Sequence, residues 1–170
     1  MIGAAAAAAT LAAATALYTG SAQKLLPPAK EAAYKTVVAS LKQKAPTGTA
    51  AHGFRNGWAV LYEKGTKAAP VEAAVIVSVY SSKATATAAW TASCASCKTH
   101  IAARGMQVKF VVGTENGKEV VQNRATCGNV LVAVTVEGSE ASSKMSTDGG
   151  LFAGLAIGRA VALGMSGCTV

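Results

Sequence analysis

The hydrophobic pattern is sharpest between residues 71 and 137. VEAAVIVSVY (71–80) is rich in β-branched residues, and NVLVAVTVE (129–137) alternates apolar and polar positions strictly, so both read as strands. Between them, TATAAWTASCASCKTHIAAR (85–104) places Ala, Trp90, Cys94, Cys97 and Ile101 at helical spacing. QVKFVVGTENGKEVV (107–121) breaks at Asn116-Gly117, a pair that favours a two-residue hairpin because both positions tolerate positive φ. WAVLYEK (58–64) supplies an earlier strand, and GTKAAP (65–70) turns it into Val71. The expected body, residues 58–170, is an α+β domain with a mainly antiparallel sheet, in the order β-β-α-β-β-β-α. Two helices pack on it, economically on one side of the sheet. Val75, Val77, Val79, Trp90, Ile101, Phe110, Val130, Val132, Val134 and Leu155 are its expected core or sheet-face residues.

The last stretch, STDGGLFAGLAIGRAVALGMSGC (146–168), reads as a helix with Asp148 at its N-cap. Gly150, Gly154 and Gly158 recur every four residues along one face. Each glycine costs a helix about 1 kcal/mol relative to alanine, so three in register imply a close neighbour on that face. Arg159 argues against burying this helix in lipid.

The first 28 residues differ in kind. The chain carries no charged side chain before Lys24, and ten of its first eighteen residues are alanine. They predict an Ala-rich helix, closed by Pro27-Pro28, that either crosses a membrane or docks on neighbouring protein. Residues 29–57 then read as a basic amphipathic helix, AKEAAYKTVVASLKQK (29–44), with Ala33, Val37 and Leu41 on one stripe. A Gly-rich linker containing His52 follows.

Charge sharpens this division. The chain carries +8 overall, but residues 24–67 hold eight basic residues against Glu31 and Glu63, whereas residues 68–170 hold eight against six. The basic segment is suited to anionic headgroups or an acidic partner. Hydrophobic content of 51% is enough for a core, and aromatic content of only 5% makes that core light.

The four cysteines are the only chemically suggestive set. Cys94-Ala-Ser-Cys97 has redox-dithiol spacing, yet the predicted helix places Cys94 well inside it, away from the N-terminal dipole that activates such thiols. A zinc site on Cys94, Cys97, Cys127 and Cys168 would have only one close-spaced pair. Two disulfides fit the even count better, with Cys127 and Cys168 each reaching one of the helix cysteines. That places the body in an oxidising compartment, whereas the positive charge after the first segment favours the opposite side of a membrane. No nucleophile-base-acid set, phosphate loop or basic-aromatic interleaving is present, so no catalytic, metal or cofactor residues are assigned and nucleic acid is disfavoured as a partner.

These observations point first to a non-enzymatic accessory or structural subunit of a membrane-associated assembly, with other subunits and membrane lipid as partners. Ala4, Ala8 and Leu11 on the N-terminal helix, and Gly150, Gly154 and Gly158 on the last one, are the expected contact positions. The alternative is a soluble extracytoplasmic domain stapled by disulfides, its ligand or partner lying between the sheet and the glycine-bearing helix. A CxxC thiol-redox protein is a third reading.

Overall fold

The computed structural model describes residues 15–168 apart from Arg104, and only the backbone of 99–103. Ala4, Ala8 and Leu11 lie outside the described residues. Among the described residues, seven strands form one wholly antiparallel sheet: β1 (Lys35–Lys42), β2 (Phe54–Thr66), β3 (Ala69–Tyr80), β4 (Lys98–Ala103), β5 (Met106–Glu115), β6 (Lys118–Cys127) and β7 (Val130–Gly138). Their spatial order is β1-β2-β3-β7-β6-β5-β4. After β3 the chain crosses by helix α1 (Lys83–Ala92) to the far edge. It then returns strand by strand until β7 pairs with β3, and ends in helix α2 (Ser142–Ala162). The α+β class and the mainly antiparallel sheet are as the pattern predicted.

The main core lies between the sheet and α2. Val71, Ala73, Val75, Val77 and Val79 of β3 point to this side, as do Val130, Val132, Val134 and Val136 of β7. They meet Met145, Phe152, Ala153, Ala156, Ile157 and Ala160 of α2. The alternate positions Tyr80 and Leu131 belong to a smaller cluster with Ala86, Ala89 and Trp90, which puts α1 on the opposite face, at one end of the sheet. The helices therefore cover one face each. Of the predicted core, the six valines and Trp90 are buried, while Leu155 is partly buried.

The Asn116-Gly117 turn forms as expected, with φ of 51° and 77° at the two residues. Both edge strands, however, depart from the sequence reading. Residues 29–44 are not a basic helix: a 3-10 turn, Ala29–Ala32, ends at Ala33 in the left-handed region (φ 58°), and β1 follows. The i, i+4, i+8 spacing there is coincidental. Thr36, Val37 and Val38 are three consecutive β-branched residues, which lose rotamer freedom in a helix and fit a strand. Likewise the helix expected over 85–104 stops at Ala92, and 98–103 form β4. The capping box at its start is complete, with Ser82 and Thr85 exchanging hydrogen bonds at 3.1 and 3.2 Å.

Residues 15–34 form a strap beside α2, covering the part of the sheet that the helix leaves open. The strap is not the continuation of a helix, since residues 15–19 carry no regular structure and Ala22–Leu25 is a 3-10 turn. Ala22 and Leu25 are fully buried. Asn129, wholly buried in the β6–β7 turn, accepts from Tyr18 N at 2.8 Å and donates to Tyr18 O and Tyr80 O at 2.8 and 2.7 Å. Asn56 Oδ1 accepts from Ala22 N, and the Tyr62 hydroxyl donates to Pro27 O. Pro27 thus anchors the strap instead of terminating a helix.

Candidate functional site

Three places in the fold concentrate chemistry: the ionic cluster where α2 meets β2, the outward face of α2, and the turn after α1. In the first, Lys64 of β2 reaches Asp148 and pairs with Glu140 at 2.8 Å, while the Tyr34 hydroxyl donates to Asp148 Oδ2 at 2.9 Å. The Glu140 contact is an ion pair and not an aligned hydrogen bond. Burial alone would lower the Lys64 pKa, but its contacts with Asp148 and Glu140 outweigh burial and raise it. Lys144 and Lys64 together hold the Glu140 carboxyl below its usual range. Burial, reinforced by Asp148, pushes the Tyr34 hydroxyl well above its ordinary value. The rings continue this contact inward, since Phe152 meets Tyr34 edge-on at 5.1 Å and stacks on Tyr62 at 4.8 Å.

These charges satisfy one another and fix the register of α2 on the sheet, so the cluster reads as a structural clamp. Asp148 is its centre and not an N-cap: α2 begins six residues earlier, at Ser142. Sequence patterning could not find this pairing, because Lys64 and Asp148 are 84 residues apart.

The outward face of α2 is different. Leu151, Gly154, Leu155, Gly158, Arg159 and Ala162 line an open apolar groove of about 390 Å³. Leu151 on its wall and Leu163 just beyond α2 are exposed. Two of the three predicted contact glycines, Gly154 and Gly158, therefore line one surface. Gly150 lies outside the groove, with nothing within 4 Å of where a Cβ would sit. The glycine that the sheet itself requires is Gly149, where a Cβ would lie 1.9 Å from Asn123 Nδ2. The space between sheet and helix, expected to hold a ligand, is instead filled by Phe152, Ala153, Ala156 and Ile157. Arg159 donates from Nε to Lys24 O at 3.1 Å, tying the groove's end to the strap.

In the third place all four cysteines are bonded, but the pairs are Cys94–Cys97 and Cys127–Cys168, not the cross-pairing expected. Because α1 stops at Ala92, Cys94 and Cys97 occupy an exposed turn and face each other. Cys127, at the end of β6, instead meets the tail that leaves α2 through Gly164. Behind the turn, Lys109 of β5 is buried, its ammonium 3.0 Å from Thr91 O, 3.1 Å from Cys94 O and 4.7 Å from the centre of the Trp90 ring. Burial, and secondarily Arg124 on the next strand, lowers the Lys109 pKa. The Trp90 indole donates to Arg124 O at 2.9 Å. Among the described residues, no group of three metal-ligating side chains converges, and no helix is long and apolar enough to cross a membrane.

Comparison with protein families and with curated proteins finds no match. Among solved structures, the extracellular domain of PknH from Mycobacterium tuberculosis is similar in fold, with a TM-score of 0.52 at 13% identity. The likeness covers 81% of this chain and 93% of that one.

Proposed function

We propose that this chain is a non-catalytic extracytoplasmic binding domain that takes an apolar ligand or partner segment in the outward groove of α2. The observation that carries the reading is the groove itself. Two glycines that cost helix stability line it, flanked by the exposed Leu151 and the partly buried Leu155. Small residues let an apolar chain approach the helix backbone closely, and the strap and the ionic clamp hold that helix rigid from behind. Two disulfides suit an oxidising compartment, and the fold likeness to a domain described as extracellular agrees with it. No catalytic set enters this reading.

The hydrophobic fluorophore 1-anilinonaphthalene-8-sulfonate is the test probe, titrated into the full chain, a chain starting at Thr15, and the Gly154→Leu variant of each. The expected result is saturable binding of about one probe per chain in at least one parent. Gly154→Leu should abolish that binding while circular dichroism is unchanged, because a leucine there fills the groove. Binding that survives Gly154→Leu, or no saturable binding by either parent, would overturn the proposal.

A further inference from the structure

The two disulfides of this fold have opposite characters. Cys127 and Cys168 are 2% and 6% exposed, belong to the main core and bridge a separation of 41 residues. Cys94 and Cys97 are partly exposed, sit in a surface turn and bridge a separation of three. By loop-closure entropy, the long bridge stabilises the fold roughly twice as much as the short one. The short bridge is also redundant for local shape. Cys97 N donates to Cys94 O at 3.3 Å, Ser93 Oγ donates to Trp90 O at 2.8 Å, and Lys109 holds the carbonyls of Thr91 and Cys94. With the sulfurs separated, these bonds would keep the two side chains close enough to close again.

The electrostatic setting favours sulfur as a leaving group. A cysteine just past a helix C-terminus meets the negative end of the helix, which disfavours a thiolate. Here the Lys109 ammonium binds Thr91 O, one of the carbonyls that create that end, and the Cys94 carbonyl just beyond it. The charged neighbour that perturbs Lys109 is another cation, Arg124, and Lys98 follows Cys97 directly. The described carboxylate ion pairs lie elsewhere, with Lys35, Lys64, Lys118 and Lys144. A thiolate released in this turn therefore forms beside uncompensated positive charge, the setting that makes cysteines reactive.

We propose that Cys94–Cys97 is a redox modification site, an exchange-competent pair opened and re-formed by dithiols while Cys127–Cys168 stays closed. This is independent of the groove on α2. In the reducing direction, a thiolate of a dithiol reductant attacks one sulfur of the pair. The Cys94–Cys97 bond breaks, a mixed disulfide forms, and the other cysteine leaves as thiolate. The reductant's second thiolate then displaces the first cysteine, so two electrons pass to the pair and the reductant ends as a disulfide. The reverse steps, with a disulfide as oxidant, close the pair again.

To test this, the folded full-length chain is equilibrated with graded ratios of reduced to oxidised dithiothreitol, acid-quenched, alkylated and mapped by mass spectrometry. Two thiols should appear first, both at Cys94 and Cys97, at a ratio at least about tenfold below that which opens Cys127–Cys168, with circular dichroism unchanged. Simultaneous opening of both pairs, earlier opening of Cys127–Cys168, or resistance of both until urea is added would each overturn the proposal. A second reading uses Cys94→Ser, which leaves Cys97 as a single thiol. Its alkylation rate against pH should titrate below the free-cysteine value of about 8.5, and Lys109→Met in the same background should slow alkylation at neutral pH several-fold. A thiol titrating above that value, or one indifferent to Lys109, would remove the electrostatic basis of the site.

Discussion

Replacing Gly149 by alanine sets two well-understood effects against each other, and the structure decides between them. On helix propensity alone, the change should stabilise the fold by about 1 kcal/mol, because Gly149 lies inside α2. The added Cβ, however, would sit 1.9 Å from Asn123 Nδ2, 2.8 Å from its Cγ and 3.4 Å from its Cβ. Turning the amide cannot clear a contact that extends to Cγ, and Asn123 is only 2% exposed, so either α2 or β6 must move. Overpacking of this kind costs about 1 to 3 kcal/mol, so Gly149→Ala should be destabilising by up to about 2 kcal/mol net. Asn123→Ala removes the obstacle. It also removes a buried amide nitrogen without a hydrogen-bond partner among the described residues, and so should cost little by itself. In that background Gly149→Ala should become neutral or stabilising, giving a coupling of about 2 kcal/mol between the two sites. Urea denaturation of the wild type, both single variants and the double variant measures all four corners of the cycle. A Gly149→Ala variant more stable than wild type, or a coupling near zero, would refute the close approach of α2 to β6.

Three further predictions follow from the same contacts. Replacing both Cys127 and Cys168 by alanine should lower the unfolding free energy by about 4 kcal/mol, against about 2 kcal/mol or less for the Cys94–Cys97 pair, as read from urea midpoints; equal losses would contradict the loop lengths. The Glu140 carboxyl is held below its ordinary value of 4.5 by Lys144 and Lys64, so its contribution is present above that pH and lost as pH falls through the folded value. Glu140→Gln should therefore flatten the acid limb of the stability curve, and an unchanged limb would show that the clamp is not formed in solution. All four tyrosines are buried with raised pKa values, Tyr62 and Tyr80 each to about 12 by burial, so their stabilising effect holds below pH 10 and is lost as pH rises through those values. Tyrosinate absorbance should stay low until the chain unfolds in alkali, whereas ionisation of any tyrosine near pH 10 in the folded protein would place that ring in solvent.

What the sequence determined by itself was the centre of the sheet. Residues 71–80 and 129–137 are paired strands buried mainly on one face, and burial of alternate positions leaves a period of two that local reading detects. The hairpin at Asn116-Gly117 was equally legible, since its two positive φ values restrict the residue types allowed there. The α+β class follows from those elements. Only tertiary structure decided the edges. β1 is exposed along nearly its whole length, so it carries no alternation imposed by a core, and β4 follows directly on the cysteine turn; both resembled helix. The disulfide pairing likewise depended on where α1 ended and where the tail after α2 returned, distances that spacing along the chain does not encode. The groove was half legible. Glycines every four residues announced a face approached closely, but they could not say which side of α2 would meet the sheet. Phe152, Ala153, Ala156 and Ile157 settled that by filling the sheet side, and this left Gly154 and Gly158 turned outward. Asn129 and the Lys64–Asp148 clamp had no local signal, because a buried polar residue is defined by partners that only the fold brings to it.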